Sequence, residues 1–133
     1  MNAVVADTHS LVWYLANDPR LSPAAIAALD QATASGEPIY VPVICLVELT
    51  YLAEKGRLPL AARQSLADAL DDPRSPCRLV PLDRAVADAL PRIDRTEIPD
   101  LPDRIVAATA LALQLPLVTR DEKIRASPLL TIW

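Results

Sequence analysis

The chain has 133 residues, 52% of them hydrophobic and 23% charged, which suits one domain (residues 1–133) with a sizeable core and argues against disorder. Lys and Arg total 13 against 17 Asp and Glu, and a net charge of −4 excludes a protein that coats nucleic acid with bulk positive charge. Phe is absent, so the core must be aliphatic, and two cysteines, Cys45 and Cys77, are too few for a disulfide scaffold or a zinc set.

In chain order, Val4-Val5-Ala6 reads as a short strand and Leu11 to Leu15 as a helix. Ser22-Pro23 reads as an N-cap with proline at the first helical position, opening a helix to Ser35 that Gly36 stops. A strand at Ile39-Tyr40-Val41 hands over to a helix from Val43 to Lys55, and a further helix runs from Pro59 to Leu70. Leu79-Val80 is a strand and Arg84 to Ile93 a helix with a mixed-sign, solvated face. Asp103 to Leu113 is a helix, Leu117-Val118-Thr119 a strand, Asp121 to Ala126 a helical turn and Leu129 to Ile132 a last strand. Short apolar strands without polar alternation, separated by helices, predict an α/β fold with a parallel sheet sandwiched between helices. The longest apolar run, Ile105 to Leu113, is too short to cross a membrane. The first residues lack a basic region and a cleavage pattern. Those features, with so few cysteines, lead us to expect a cytoplasmic protein with no membrane association.

Ligands of such folds collect outside the carboxyl ends of the strands. Asp7 follows the first strand and Asp121 follows Leu117-Val118-Thr119-Arg120, so both should project at that edge; helix capping alone would also favour Asp there. Glu48 sits among Ile44, Cys45, Tyr51 and Leu52 on its helix face, where a carboxylate is costly to desolvate unless an arginine, a polar network or a metal compensates. Asp100 is the better cap for the helix that follows, which frees Asp103 to point inward, and the small Ala107, Ala108 and Ala110 let that helix approach the sheet. Four acids converging on one edge would repel and raise one another's pKa unless a cation binds. Mg²⁺ or Mn²⁺ takes about six oxygen ligands, carboxylates with waters and substrate phosphate, and suits phosphodiester hydrolysis.

Ala6-Asp7-Thr8-His9-Ser10-Leu11-Val12-Trp13-Tyr14-Leu15, Leu46-Val47-Glu48-Leu49, Asp100-Leu101-Pro102-Asp103-Arg104-Ile105-Val106-Ala107-Ala108-Thr109-Ala110 and Val118-Thr119-Arg120-Asp121 together resemble the PIN-domain ribonucleases, and among them the VapC toxins of bacterial toxin–antitoxin pairs. The resemblance spans nearly the whole chain and implies a parallel sheet of about five strands between helices. It implies that Asp7, Glu48, Asp103 and Asp121 are the acidic quartet holding Mg²⁺ or Mn²⁺, with Thr8, Thr119 and Asp100 beside them. It further implies endonucleolytic cleavage of RNA, often tRNA or ribosomal RNA, a VapB-like antitoxin partner and a homodimer. Two departures stand out: the spacer after Gly36 is short, and Pro102 lies one position later than the usual Asp-Pro.

Two other classes compete. A Mg²⁺-binding phosphoacceptor domain needs paired acids after the first strand and a lysine after the last core strand, but Thr8 follows Asp7 and Arg120 stands near that strand. A non-catalytic interaction module would use the acids only as helix caps. Of the remaining polar residues, His9 reads as a local hydrogen-bonding group, and Arg104 and Arg120 either pair with Asp100 or Glu48, the better reading for the free protein, or touch RNA phosphate. One of Trp13 and Tyr14 is expected to pack in the core, and Cys45 reads as a small core residue.

Overall fold

The computed structural model describes Met1–Trp133 and is a three-layer α/β arrangement. Strand β1 (Val4–Ala6) leads to helix α1 (Thr8–Leu15), followed by α2 (Pro23–Ser35), β2 (Ile39–Pro42), α3 (Val43–Glu54) and α4 (Leu60–Asp71). The chain continues through β3 (Cys77–Val80), α5 (Arg84–Ala89), a 3₁₀ turn (Leu90–Arg92), α6 (Leu101–Leu113), β4 (Leu117–Val118), α7 (Glu122–Ala126) and β5 (Thr131–Ile132). All four strand pairings are parallel and the order is β3-β2-β1-β4-β5, with Val5 registered against both Tyr40 and Leu117. The expected five-stranded parallel sheet between helices is therefore present. The chain reverses sheet direction on either side of β1, so a crevice opens where the carboxyl ends of β1 and β4 diverge into different helices.

The core is aliphatic, as the absence of Phe requires. Val5, Leu11, Leu29, Ile39, Val41, Leu66, Leu117 and Val118 are fully buried, and Cys45 packs among them. Buried Ala107, Ala108 and Ala110 on one side of α6 let that helix lie close over β1 and β2.

Several boundaries differ from the sequence reading, the helical ones for a capping or proline reason. Helix α1 begins at Thr8 rather than Leu11, because the Asp7 side chain accepts the Ser10 N–H and starts the helix there. Helix α6 begins at Leu101 rather than Asp103, since Asp100 caps it and Pro102 fits its first turn. The helix expected to reach Ile93 stops at Ala89 and tightens into a 3₁₀ turn, because Pro91 has no N–H to continue the ladder. Strand β3 starts at Cys77, two residues early, and β5 is trimmed to two residues. Two helices end in left-handed residues, Gly36 at φ 71° after α2 and Gln114 at φ 56° after α6. An L side chain is strained there and glycine is not. Gly36→Ala should lower, and Gln114→Gly raise, the unfolding free energy by about 1 kcal/mol each in urea titrations.

Candidate functional site

The acids reach the same place because helix starts and strand ends coincide there. Asp7 leaves β1 and caps α1: one carboxyl oxygen accepts the Ser10 N–H at 3.0 Å and the other accepts the Thr119 hydroxyl. The same Thr119 oxygen accepts the Asp121 N–H at 3.0 Å, and Asp121 in turn caps α7 by accepting the Ile124 N–H at 2.9 Å. Ser10 donates its hydroxyl to the Val118 carbonyl at 3.2 Å, so the first turn of α1 is stitched to the end of β4. Glu48 comes from the middle of α3, where the Thr8 hydroxyl donates to it at 3.0 Å. Asp103 sits in the first turn of α6, its N–H held by Asp100 at 3.1 Å, and its own carboxylate accepts no hydrogen bond.

These groups line one open cavity of about 650 Å³, and it contains all four residues of the expected quartet together with Thr8 and Asp100. Thr119 is buried beneath it. Capping and pocket lining thus turn out to be the same placement for Asp7 and Asp121, not rival explanations. No arginine pairs with Glu48 or Asp100, contrary to expectation. Arg104 instead donates to the Leu90 and Ile93 carbonyls at 3.1 and 2.9 Å, at the end of the 3₁₀ turn, where the Leu90 oxygen also accepts the Ile93 N–H. Arg120 lies over the Trp13 ring. His9 makes no hydrogen bond and rests 5.6 Å from the same ring. Trp13 is the aromatic that packs in the core, while Tyr14 is hydrogen-bonded to Asp30.

The electrostatics are those of uncompensated charge. Enclosure pushes the Asp7 carboxyl above the ordinary range, with Thr119 and Ser10 pulling the other way. Desolvation also raises Glu48, opposed by Thr8 and reinforced by the Asp100 and Asp7 charges. Asp103 rises to about 7, first through desolvation and then through repulsion from Asp121, Asp100, Glu48 and Asp7. A cluster of oxygen donors in which Asp7, Glu48, Asp103 and Asp121 make no ion pair fits a hard divalent cation. As the side chains stand, no three of them are placed to hold one ion together. Mg²⁺ does not require three, since it commonly keeps several waters and binds through one or two carboxylates.

Sequence reasoning missed Ser10, Arg20 and Glu122. Ser10 had a local signal, its position three residues after a capping Asp. Arg20 had none: it reaches the cavity wall only because the turn after α1 brings it back over Trp13.

A parallel sheet with carboxylates gathered at its carboxyl edge places the chain in the class of α/β domains whose ligand sites lie at that edge. Residues 4–128 match the PIN domain family model, and the chain belongs to the PIN domain family. It is 34% identical over 128 residues to Ribonuclease VapC22 of Mycobacterium tuberculosis, covering 95% of this chain and 92% of that protein. Similar folds occur in VapBC2 from Rickettsia felis bound to a DNA fragment from their promoter (TM-score 0.71, 19% identity, 97% and 96% of the two chains). A toxin–antitoxin complex from Klebsiella pneumoniae (TM-score 0.62, 25%, 94% and 92%) and FitAcB from Neisseria gonorrhoeae (TM-score 0.64, 23%, 96% and 95%) are also similar.

The raised carboxyl pKa values have a stability consequence. Asp103, pushed up to about 7, keeps in the folded protein a proton that the unfolded chain releases at about pH 4, so stability falls as pH rises between those values, and the raised Asp7 and Glu48 carboxyls act in the same direction. In thermal melts with chelator, the melting temperature should decline from pH 4 to pH 7. Asp103→Asn should flatten the decline and melt above the parent at pH 8.

Proposed function

We propose that this chain is a divalent-metal-dependent endoribonuclease, the toxin of a toxin–antitoxin pair, acting as one domain on structured RNA such as tRNA or ribosomal RNA. The observation that carries the reading is the convergence of Asp7, Glu48, Asp103 and Asp121, from four separate elements, on one cavity with no counter-ion for Asp103. The relative named as a ribonuclease supports RNA as the substrate. The toxin–antitoxin complexes support a VapB-like partner. The cavity lining holds no lysine, which counts against a phosphoacceptor site.

Asp7, Glu48, Asp103 and Asp121 would hold Mg²⁺ or Mn²⁺, which supplies positive charge for the scissile phosphate and a water of lowered pKa. The protein's own part is orientation. Thr119 and Ser10 fix both oxygens of Asp7, and Thr8 turns Glu48 towards the cavity. Asp103 carries no hydrogen bond that would tie it elsewhere and shares a proton with solvent near neutral pH, so cation binding must displace that proton. No helix is long and apolar enough to cross a membrane, and both cysteines are free and buried, which suits work in a reducing cytoplasm. Val47 and Tyr51 lie exposed one turn apart on α3 and offer an apolar face for the antitoxin or for a second copy in a homodimer.

The purified chain should cut RNA with Mg²⁺ or Mn²⁺ and spare it with chelator. Asp7→Asn should lower cutting by at least about 100-fold without unfolding the protein, as judged by circular dichroism. Undiminished cutting by that variant would overturn the assignment. By calorimetry, Mn²⁺ affinity should rise with pH up to about 7 and then level off, as a proton is displaced from Asp103.

A further inference from the structure

One wall of the acidic cavity is cationic and aromatic, and the carboxylate chemistry does not use it. Trp13 forms the base of that wall. It is buried, its Nε1 has no hydrogen-bond partner, and two guanidinium groups lie over its ring, with the carbon of Arg20 at 5.0 Å and that of Arg120 at 5.5 Å from the centroid. Arg20 is committed to Asp18 through two side-chain hydrogen bonds of 3.0 and 2.8 Å. Arg120 is different. It is exposed, makes no ion pair and donates no hydrogen bond, yet it lines the cavity between Thr119, which holds Asp7, and Asp121, which belongs to the quartet.

A free guanidinium among six cavity-lining carboxylates is unexpected on simple Coulomb grounds, since pairing is the nearer outcome. Cation–π attraction to the indole holds the group in place, and its N–H donors have no protein partner. A planar guanidinium fork matches two oxygens of a phosphate diester. The site has a need for it, because a polyanion approaching six carboxylates meets repulsion everywhere except at this wall. Base stacking on Trp13 is excluded, as the indole is buried and covered by guanidinium groups.

We propose that Arg120, held over Trp13 with Arg20 beside it, is a phosphate clamp that seats the RNA strand next to the scissile bond. The proposal rests on the ribonuclease reading for its ligand, but its test does not depend on cutting. Asp7→Asn protein in Mg²⁺ is titrated against a fluorescein-labelled single-stranded RNA 12-mer across a salt series. Adding Arg120→Ala should weaken binding about tenfold and make the plot of log K against log salt shallower by about 0.7, the loss of one single-strand phosphate contact. Arg120→Lys should keep the slope and lose about threefold in affinity, since it keeps the charge but not the planar fork. Arg57→Ala, past the end of α3 and outside the cavity lining, serves as the charge control and should move affinity less than twofold. Arg120→Ala that behaves like Arg57→Ala, or that weakens binding with the slope unchanged, would overturn the clamp. If the parent chain fails to cut RNA while the Arg120 binding pattern holds, the hydrolytic reading fails and the clamp stands.

Discussion

The Asp7 carboxyl accepts the Ser10 N–H with one oxygen and the Thr119 hydroxyl with the other, and the carboxyl edge of the sheet is arranged around that pair of bonds. The first fixes the start of α1 against the end of β1. The second reaches across to β4, and through the Thr119 oxygen it also sets the Asp121 N–H and hence the start of α7. Both oxygens of one side chain are thus tied down by donors from two elements, so the acid stabilises local structure while remaining at the cavity. Folding keeps these negative groups in place through helix capping, each cap contributing about 1 kcal/mol, and the electrostatic cost of gathering them is left for a cation to relieve.

That cost is not evenly shared. Asp7 and Asp121 have N–H and hydroxyl donors, and Glu48 has Thr8. Asp103 has none, and it titrates near 7. The unevenness separates two tasks within one cluster: the donor-rich acids fix geometry, and the donor-free acid stays responsive to whatever positive charge arrives. Arg104, next in sequence, adds rigidity by tying α6 to the Leu90 and Ile93 carbonyls, so the responsive carboxyl sits on a fixed helix start.

Much of this was legible in the residues. The alternation of short apolar strands with helices gave the parallel sheet, and the rule that ligands lie beyond the strand ends singled out Asp7 and Asp121. Glu48 stood out because its neighbours are apolar. The arginines could not be placed, because nothing local distinguishes a guanidinium that pairs with a carboxylate from one that takes backbone carbonyls or an indole. Arg104 went to the Leu90 and Ile93 carbonyls, and Arg120 went to Trp13, more than 100 residues earlier in the chain. The helix starts at Thr8 and Leu101 were shifted by caps whose strength depends on side-chain rotamer as well as residue type.

The two outer strands carry a consequence of their own. β3 is bracketed by Pro76 and Pro81, and Arg78 folds its guanidinium back onto the Ser75 and Cys77 carbonyls, 2.8 Å from the latter. β5 is only two residues long. Neither border offers a run of open backbone groups onto which a foreign strand could zip. Both margins are therefore poor templates for edge-to-edge polymerisation, and the helical flanks and the acidic mouth are the broader surfaces open to association.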